Sequence, residues 1–314
     1  DIANTDWLGE LFEQGKTNSF QLSASGGTDR ISYMFSSGYY DQDGIVKYNN
    51  DKYRRLELRS NVQAKLSDWL ELKSNILVNH QDKMVVSSRG DVPGIVRHAL
   101  LRPPVLGVYK DPSDPTYTVD NPFTDLPFYV SPTNFQSNLY EWSQNPIALA
   151  YFSNNNVRQF KLFGNVEAAV NILKDKSLRF RSNVGVELNF NHAKVFMQNF
   201  GDDERGEPTV DLGLGRHNRP NGLNEDRGED YTITWNNILS YDKTLGEDHL
   251  VNALIGTEFI NNQSSSINAS RRRFEYTLDR FQYMDLGGTS QDLWNGGFAN
   301  EWALFSIFSC DLFL

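Results

Sequence analysis

From Arg55 to Val78 apolar and polar residues take turns along the chain. The even positions of the first half are Leu56, Leu58, Ser60, Val62, Ala64 and Leu66; the odd ones are Arg55, Glu57, Arg59, Asn61, Gln63 and Lys65. Successive side chains of a strand point to opposite faces, so one face is almost wholly apolar and the other almost wholly polar. Ser67-Asp68-Trp69 breaks the run. Leu70, Leu72, Ile76 and Val78 then alternate with Glu71, Lys73, Asn75 and Asn79. Together they make an antiparallel hairpin with one greasy face and one charged face. Such a hairpin suits the core side of a soluble sandwich. It equally suits the wall of a membrane barrel, whose apolar face meets lipid and whose polar face lines a wet lumen.

The connections along the chain separate the two. Strands are expected near Ser19–Ser25 and Arg30–Tyr40, the second with Ile31, Tyr33, Phe35 and Tyr39 on one face. After the hairpin come strands from about Phe160 to Ile172, Leu178 to Phe190, Asp230 to Tyr241 and His249 to Asn261, and an apolar segment from Trp302. The connections Gly26–Asp29, Ser67–Trp69, Lys174–Ser177 and Asp242–Asp248 are short; a glycine at positive φ is expected in the first. The polar loops Asp41–Asp51, Gln81–Asn156, His192–Glu229 and Asn262–Asn300 are longer and alternate strictly with the short ones. In an up-and-down meander the short turns then gather at one end of the sheet and the long loops at the other, the pattern of outer-membrane barrels. The reading is all-β: an antiparallel up-and-down meander, a partial transmembrane β-barrel forming an open curved sheet of roughly nine strands with long extracellular loops. In Gln81–Asn156 a short helix is expected from Val92 to Leu101, with Pro93 near its first turn and Pro103 ending it.

Composition narrows the function. The formal net charge of −10, from 30 Lys+Arg against 40 Asp+Glu, lacks the basic footprint of a nucleic-acid binder. No apolar run approaches the ~20 residues of a membrane helix, which leaves the barrel reading untouched. Cys310 is the only cysteine, so no internal disulfide framework exists. Asp1-Ile2-Ala3 opens the chain without initiator Met or signal peptide, as expected of a trimmed or internal piece.

Several ordered pieces resemble the barrel of SusC/RagA-type TonB-dependent transporters. They are Asn4-Thr5-Asp6-Trp7-Leu8, Ser23-Ala24-Ser25-Gly26-Gly27-Thr28, Ser37-Gly38-Tyr39-Tyr40-Asp41-Gln42-Asp43-Gly44-Ile45 and Tyr53-Arg54-Arg55. Asp68-Trp69-Leu70, Asn145-Pro146-Ile147-Ala148 and Leu250-Val251-Asn252-Ala253-Leu254-Ile255-Gly256 follow in order. The resemblance implies a 22-stranded barrel with an amino-terminal plug, driven through TonB. It implies import of oligosaccharides or peptides beneath a SusD-type surface lipoprotein acting as a lid, in the outer membrane of a Gram-negative bacterium. Residues 1–314 are expected to be one partial barrel domain without a stretch resembling the plug. The end departs from the pattern at Ser309-Cys310-Asp311-Leu312-Phe313-Leu314, as a truncation or frameshift would make it do. A rival reading is a secreted or surface-exposed β domain that only binds carbohydrate.

No catalytic constellation stands out, so neither enzyme activity nor a cofactor is expected. His80, His98, His192, His217 and His249 lack metal-ligand spacing, and Gly213-Leu214-Gly215 lacks the setting of a dinucleotide site. Asp41-Gln42-Asp43-Gly44 is read as a turn rather than a calcium loop. Asp202-Asp203-Glu204 and Glu225–Asp230 are read as solvated loop faces, and Arg271-Arg272-Arg273 as a loop contact to a partner or lipid headgroups. The long connection is richer. Tyr109, Tyr117, Phe123, Phe128, Tyr129, Phe135, Tyr140 and Trp142 are interleaved with Asp111, Asp114, Asp120, Asn121, Asp125 and Asn134. Aromatic faces stack while carboxylates and amides orient a ligand. Tyr129, Phe135, Tyr140 and Trp142 are the candidates for contacting substrate or the lid lipoprotein; the alternative is that they pack the loop against itself.

Overall fold

The computed structural model describes residues 3–49, 51–86, 94–114, 117, 119, 122–124, 145–197, 221–245, 249–276, 278–288 and 293–313. These hold three short helices, α1 (Trp7–Leu11), α2 (Ile95–Leu101) and α3 (Pro146–Phe152). The rest is dominated by nine strands. They are β1 (Lys16–Gly27), β2 (Ile31–Asp43), β3 (Lys52–Lys65), β4 (Leu70–Met84), β5 (Ser153–Asn171), β6 (Leu178–Met197), β7 (Gly222–Leu245), β8 (His249–Arg272) and β9 (Leu293–Phe313). All are antiparallel and pair in sequence order, and β1 and β9 are the two edges of an open sheet.

The register sorts the side chains as the alternation demands. Leu58 faces Val78, Val78 faces Leu162, Leu162 faces Leu188 and Leu188 faces Tyr231, all on one side. Leu56, Val62, Leu72, Ile76, Val166, Phe180, Val184 and Val186 share that side. Arg55, Glu57, Arg59, Glu71, Lys73, Lys161, Glu167, Arg179 and Arg181 lie on the other. The apolar pairs Leu77 with Phe163 and Ile260 with Phe305 interrupt the polar face. The apolar face is not a core: Leu22 is 76% and Phe20 66% exposed, and Leu58, Ile76 and Val184 are also exposed. A soluble sandwich would cover these side chains; a membrane wall leaves them to lipid.

The apolar face has a definite height. From the row of Leu70, Val170, Phe180, Leu239 and Ile255 to the row of Phe20, Tyr39, Leu56, His80, Phe160 and Phe190 is ten residues along β4. At ~3.3 Å per residue and a tilt of ~40°, that is about 25 Å, the height of a barrel's lipid band. Trp235 is half exposed within it, and its indole N–H donates to Ser182 Oγ on the next strand at 2.9 Å. That bond satisfies a donor that hydrocarbon could not.

The polar face is cross-linked sideways. Asn75 donates to Asn165 and Asn165 to Asn183, each at 3.0 Å; Gln159 donates to Asn189 at 2.8 Å and Asn189 to Asp230 at 3.0 Å. Glu71 accepts from Gln63 at 2.5 Å and from Arg179 at 2.9 Å. These bonds tie strands together, once across two strands from β6 to β4, on the side where apolar packing is sparse.

Several sequence-derived boundaries need correction. β6 continues to Met197 and β7 begins at Gly222, so the loop expected over His192–Glu229 is much shorter. β8 runs on to Arg272, and β9 begins at Leu293 rather than near Trp302. Asp41–Asp43 belongs to β2 instead of a turn, and Glu225–Asp230 to β7 instead of a loop. The cause is common to all. Above the lipid band both faces of a strand meet water, so alternation fades while the hydrogen-bond ladder continues. The first turn also differs: neither Gly26 nor Gly27 takes positive φ. Gly27 is needed for close approach, since a Cβ there would lie 2.5 Å from the Ile31 carbonyl oxygen. Thr28 closes that turn, its hydroxyl accepting from the amides of Arg30 and Ile31.

The turn between β5 and β6 yields a prediction. Asp175 accepts from the hydroxyl of Ser177 at 2.7 Å, its amide at 3.2 Å and Lys243 Nζ at 3.2 Å. These donors hold its carboxyl below the usual carboxylate range, the Ser177 hydroxyl contributing most. A depressed folded pKa means that the turn's stabilisation is present above ~3.9, the unfolded value, and is lost as pH falls through the folded one. In Ser177→Ala the Asp175 carboxyl should titrate nearer ~3.9 by carboxyl-carbon NMR. An unchanged titration would show that Ser177 is not the cause.

Candidate functional site

The hydrophobic core lies at one end of the sheet, outside the lipid band. It joins Trp7 and Leu11 of α1, Val46 from the β2–β3 connection, and Ile95 and Ala99 of α2. Val108, Phe123 and Ile147, Ala148, Ala150 and Phe152 of α3 complete it. The same end carries the long connections, because the last residues of β2 and β4 and the first of β3 and β5 meet there in register.

Asn145 is its polar centre. The residue is fully buried. Its amide nitrogen donates to the carbonyls of Val108 at 3.0 Å and Thr124 at 2.6 Å. Its amide oxygen accepts from the N–H groups of Ile147 at 3.0 Å and Ala148 at 3.3 Å. Asn before Pro146 is therefore an N-cap followed by proline in the first helical position. Asp6 caps α1 in the same way, accepting from Gly9 at 3.1 Å. Trp7 donates to the Pro103 carbonyl at 3.0 Å and stacks under Arg102 at 4.9 Å, and Thr5 Oγ1 donates to the Leu106 carbonyl at 2.7 Å. Two distant pieces of sequence, Thr5-Asp6-Trp7 and Asn145-Pro146, thus bind the same connection, at residues 103–108 and 124.

On this base sits an aromatic platform. Buried Phe123 packs against Tyr109, Tyr151 and Phe152 at ring-centroid distances of 5.5, 5.1 and 5.8 Å. Tyr48 stands edge-on to Tyr151 at 5.2 Å, and the hydroxyls of Tyr48 and Tyr109 are 3.3 Å apart. Tyr48, Tyr109 and Tyr151 all expose a substantial part of their surface. Burial raises the Tyr48 phenol, with help from the Tyr109 hydroxyl, so it stays a neutral donor and acceptor. Tyr48 also takes φ 75°, which an L residue adopts only where its surroundings hold it. The arrangement offers ring faces for stacking and phenols for orientation, without a nucleophile paired to a base.

Tyr109 and Phe123 were legible as loop aromatics; Tyr48 comes from the β2–β3 connection, and Tyr151, though inside the same long connection as Tyr109, sits in α3, a helix the sequence pattern did not announce. Tyr129, Phe135, Tyr140 and Trp142 lie outside the described residues, as do Asp202-Asp203-Glu204 and Gly213-Leu214-Gly215. Among the described residues no group of His, Cys, Asp and Glu is arranged to hold a metal. Arg271, near the end of β8, turns onto the loop that follows, donating to the carbonyls of Met284 and Gly288, which corrects its reading as a loop contact to a partner or lipid headgroups.

Nine antiparallel strands with a lipid-height apolar band and an open edge on each side form part of a transmembrane β-barrel. The chain is similar to TonB-dependent receptor P3 of Formosa agariphila, 26% identical over 314 residues, 98% of this chain and 27% of that protein. It is 24% identical over 196 residues to TonB-dependent receptor SusC of Bacteroides thetaiotaomicron, 59% of this chain and 18% of that protein. The solved RagAB peptide importer in its open-open state matches with TM-score 0.69 and 20% identity over 99% of this chain and 31% of that chain. No family model matches. The resemblance to SusC-type TonB-dependent receptors is thus shown by relatives, of whose length the chain spans between 18% and 31%.

Proposed function

We propose that the chain is a stretch of the barrel of an outer-membrane, TonB-dependent importer of glycans or peptides, working with a SusD-like surface lipoprotein. Residues 1–314 form one partial barrel domain in this reading, and the work is binding and gated passage, with no bond made or broken. The observation that carries it is the lipid-height apolar band with the long connections gathered at one end. The similarity to P3, SusC and RagAB supports the transporter class, and RagAB is a peptide importer. The open edges agree: unpaired strand edges in hydrocarbon cost several kcal/mol per group, so the sheet needs neighbouring strands. TonB itself would engage parts of the intact protein other than this sheet.

Tyr129, Phe135, Tyr140 and Trp142 are proposed to contact substrate or lid, and the platform of Tyr48, Tyr109 and Tyr151 is proposed as a further stacking surface. Two measurements test this in the intact protein. Membrane fractionation should recover it only with detergent; recovery in the soluble fraction would favour a surface domain that only binds carbohydrate. Alanine at the four loop aromatics, at normal surface levels, should lower substrate uptake or lipoprotein co-purification about tenfold, as the loss of one or two stacking contacts would. Wild-type values for both would assign those aromatics to internal packing.

A further inference from the structure

The apolar band ends sharply on the long-loop side. Above the row of His80, Phe160 and Phe190, the next lipid-side row reads Asp41, Arg54, Asp82, Arg158, His192 and Arg227 across β2 to β7. Arg158, His192 and Arg227 are consecutive in it, with no acid between them. Strands lie ~4.8 Å apart, so the two guanidinium-bearing strands are about 10 Å from each other, the width of a headgroup. A groove of about 550 Å³ lies at this boundary. Phe160 and Phe190, with ring centroids 6.3 Å apart, line it together with Arg158, His192, Arg227 and Glu229.

The available charge in the groove is positive. Arg158 lies 3.9 Å from Asp82, and Arg227 donates to Glu225 at 3.5 Å, a carboxylate that His192 also approaches at 3.4 Å; both arginine side chains remain more than half exposed. The acids are better satisfied: Asp82 accepts from Asn156 at 2.8 Å and Glu229 from Ser265 at 3.0 Å, and Glu225 is mostly covered. An amphiphile with an anionic head fits this order of groups: apolar chains beside Phe160 and Phe190, the charged head on the guanidiniums.

We infer that this groove is a lipid site, taking the phosphorylated headgroup of an outer-leaflet lipid between Arg158 and Arg227. Charge-assisted bonds from arginine to phosphate supply the affinity and the fork geometry supplies the choice of phosphate. The inference rests on the membrane reading above.

The test uses the intact outer-membrane protein that carries this chain, purified in detergent and examined by native mass spectrometry. The probes are lipid A, the same lipid dephosphorylated, and inorganic phosphate. Wild type should retain lipid A at least tenfold better than its dephosphorylated form, and inorganic phosphate at equal concentration should not displace it. Arg158→Gln/Arg227→Gln should lose that preference, Arg158→Lys/Arg227→Lys should keep part of it, and Lys161→Gln/Arg181→Gln on the lumen face should keep all of it. Equal retention of both lipids by wild type overturns the site, as does an unchanged preference in the glutamine variant. Displacement by inorganic phosphate would make it a free-anion site and also overturn the proposal. If the glutamine variant does not fold, the wild-type comparison of the two lipids still decides. Recovery of the wild type without detergent would instead sink the membrane reading.

Discussion

Arginine in place of Val184 should destabilise the intact protein by about 2–4 kcal/mol in lipid, whereas arginine in place of Asn183 should change it by less than about 1 kcal/mol. The two residues are adjacent in β6 and differ only in face. Val184 lies in the row of Val62, Val166 and Trp235, near the middle of the apolar band. A guanidinium there must leave water, drag water in, or reach some 12 Å to the band's edge. Asn183 lies opposite Glu167 on the wet face, and Glu167 pairs with Lys73 on the strand beyond it at 3.7 Å. An added cation there meets water and a carboxylate. The measurement is the urea midpoint of reversible unfolding from lipid vesicles. Equal losses at the two sites would mean that the apolar face is a protein interior after all.

Asn145→Ala should loosen the loop-end core while leaving the strands in place. The carbonyls of Val108 and Thr124 each lose one donor, keeping the Thr124 N–H and hydroxyl and the Arg102 guanidinium respectively, and the amides of Ile147 and Ala148 lose their cap. At ~1 kcal/mol for each of the two lost hydrogen bonds and ~1 kcal/mol for the cap, the local cost is about 3 kcal/mol. Amide exchange over 95–110 and 145–152 should accelerate by about a hundredfold, with β5 and β6 unchanged. Asn145→Asp keeps the cap acceptor but turns a carboxylate toward two carbonyl oxygens, so it should be no better than alanine. Protection equal to wild type in both variants would remove Asn145 as the centre of this core.

The faces of the sheet were legible because hydrocarbon enforces alternation row by row, from Leu70 to Phe190. The strand ends were not. Glu225, Asp226, Arg227, Glu229 and Asp230 read as a loop, yet Asp226 is bonded by Asn268 and Asp230 by Asn189 and Ser264 within the ladder. Water on both faces removes the pattern without removing the strand. The candidate site was partly legible. Tyr109 and Phe123 stood out in a proline-rich segment, but Tyr48 and Tyr151 become neighbours only after the β2–β3 and β4–β5 connections fold together. No local spacing announces that meeting.

The loop-end core has a consequence for register. A slip of one residue between strands would exchange lipid and lumen faces and is strongly opposed. A slip of two residues preserves both faces, and neither lipid nor water penalises it directly. The core at the end of β1 to β5 does. Val46 pairs with Phe12, Thr5 is tied to residues 104 and 106, and Asn145 fixes the entry to β5 against residues 108 and 124. Sliding one of these strands by two residues would drag its anchor some 7 Å through a packed cluster. The knot above the membrane is thus a zero mark for strands that the membrane itself would let slide.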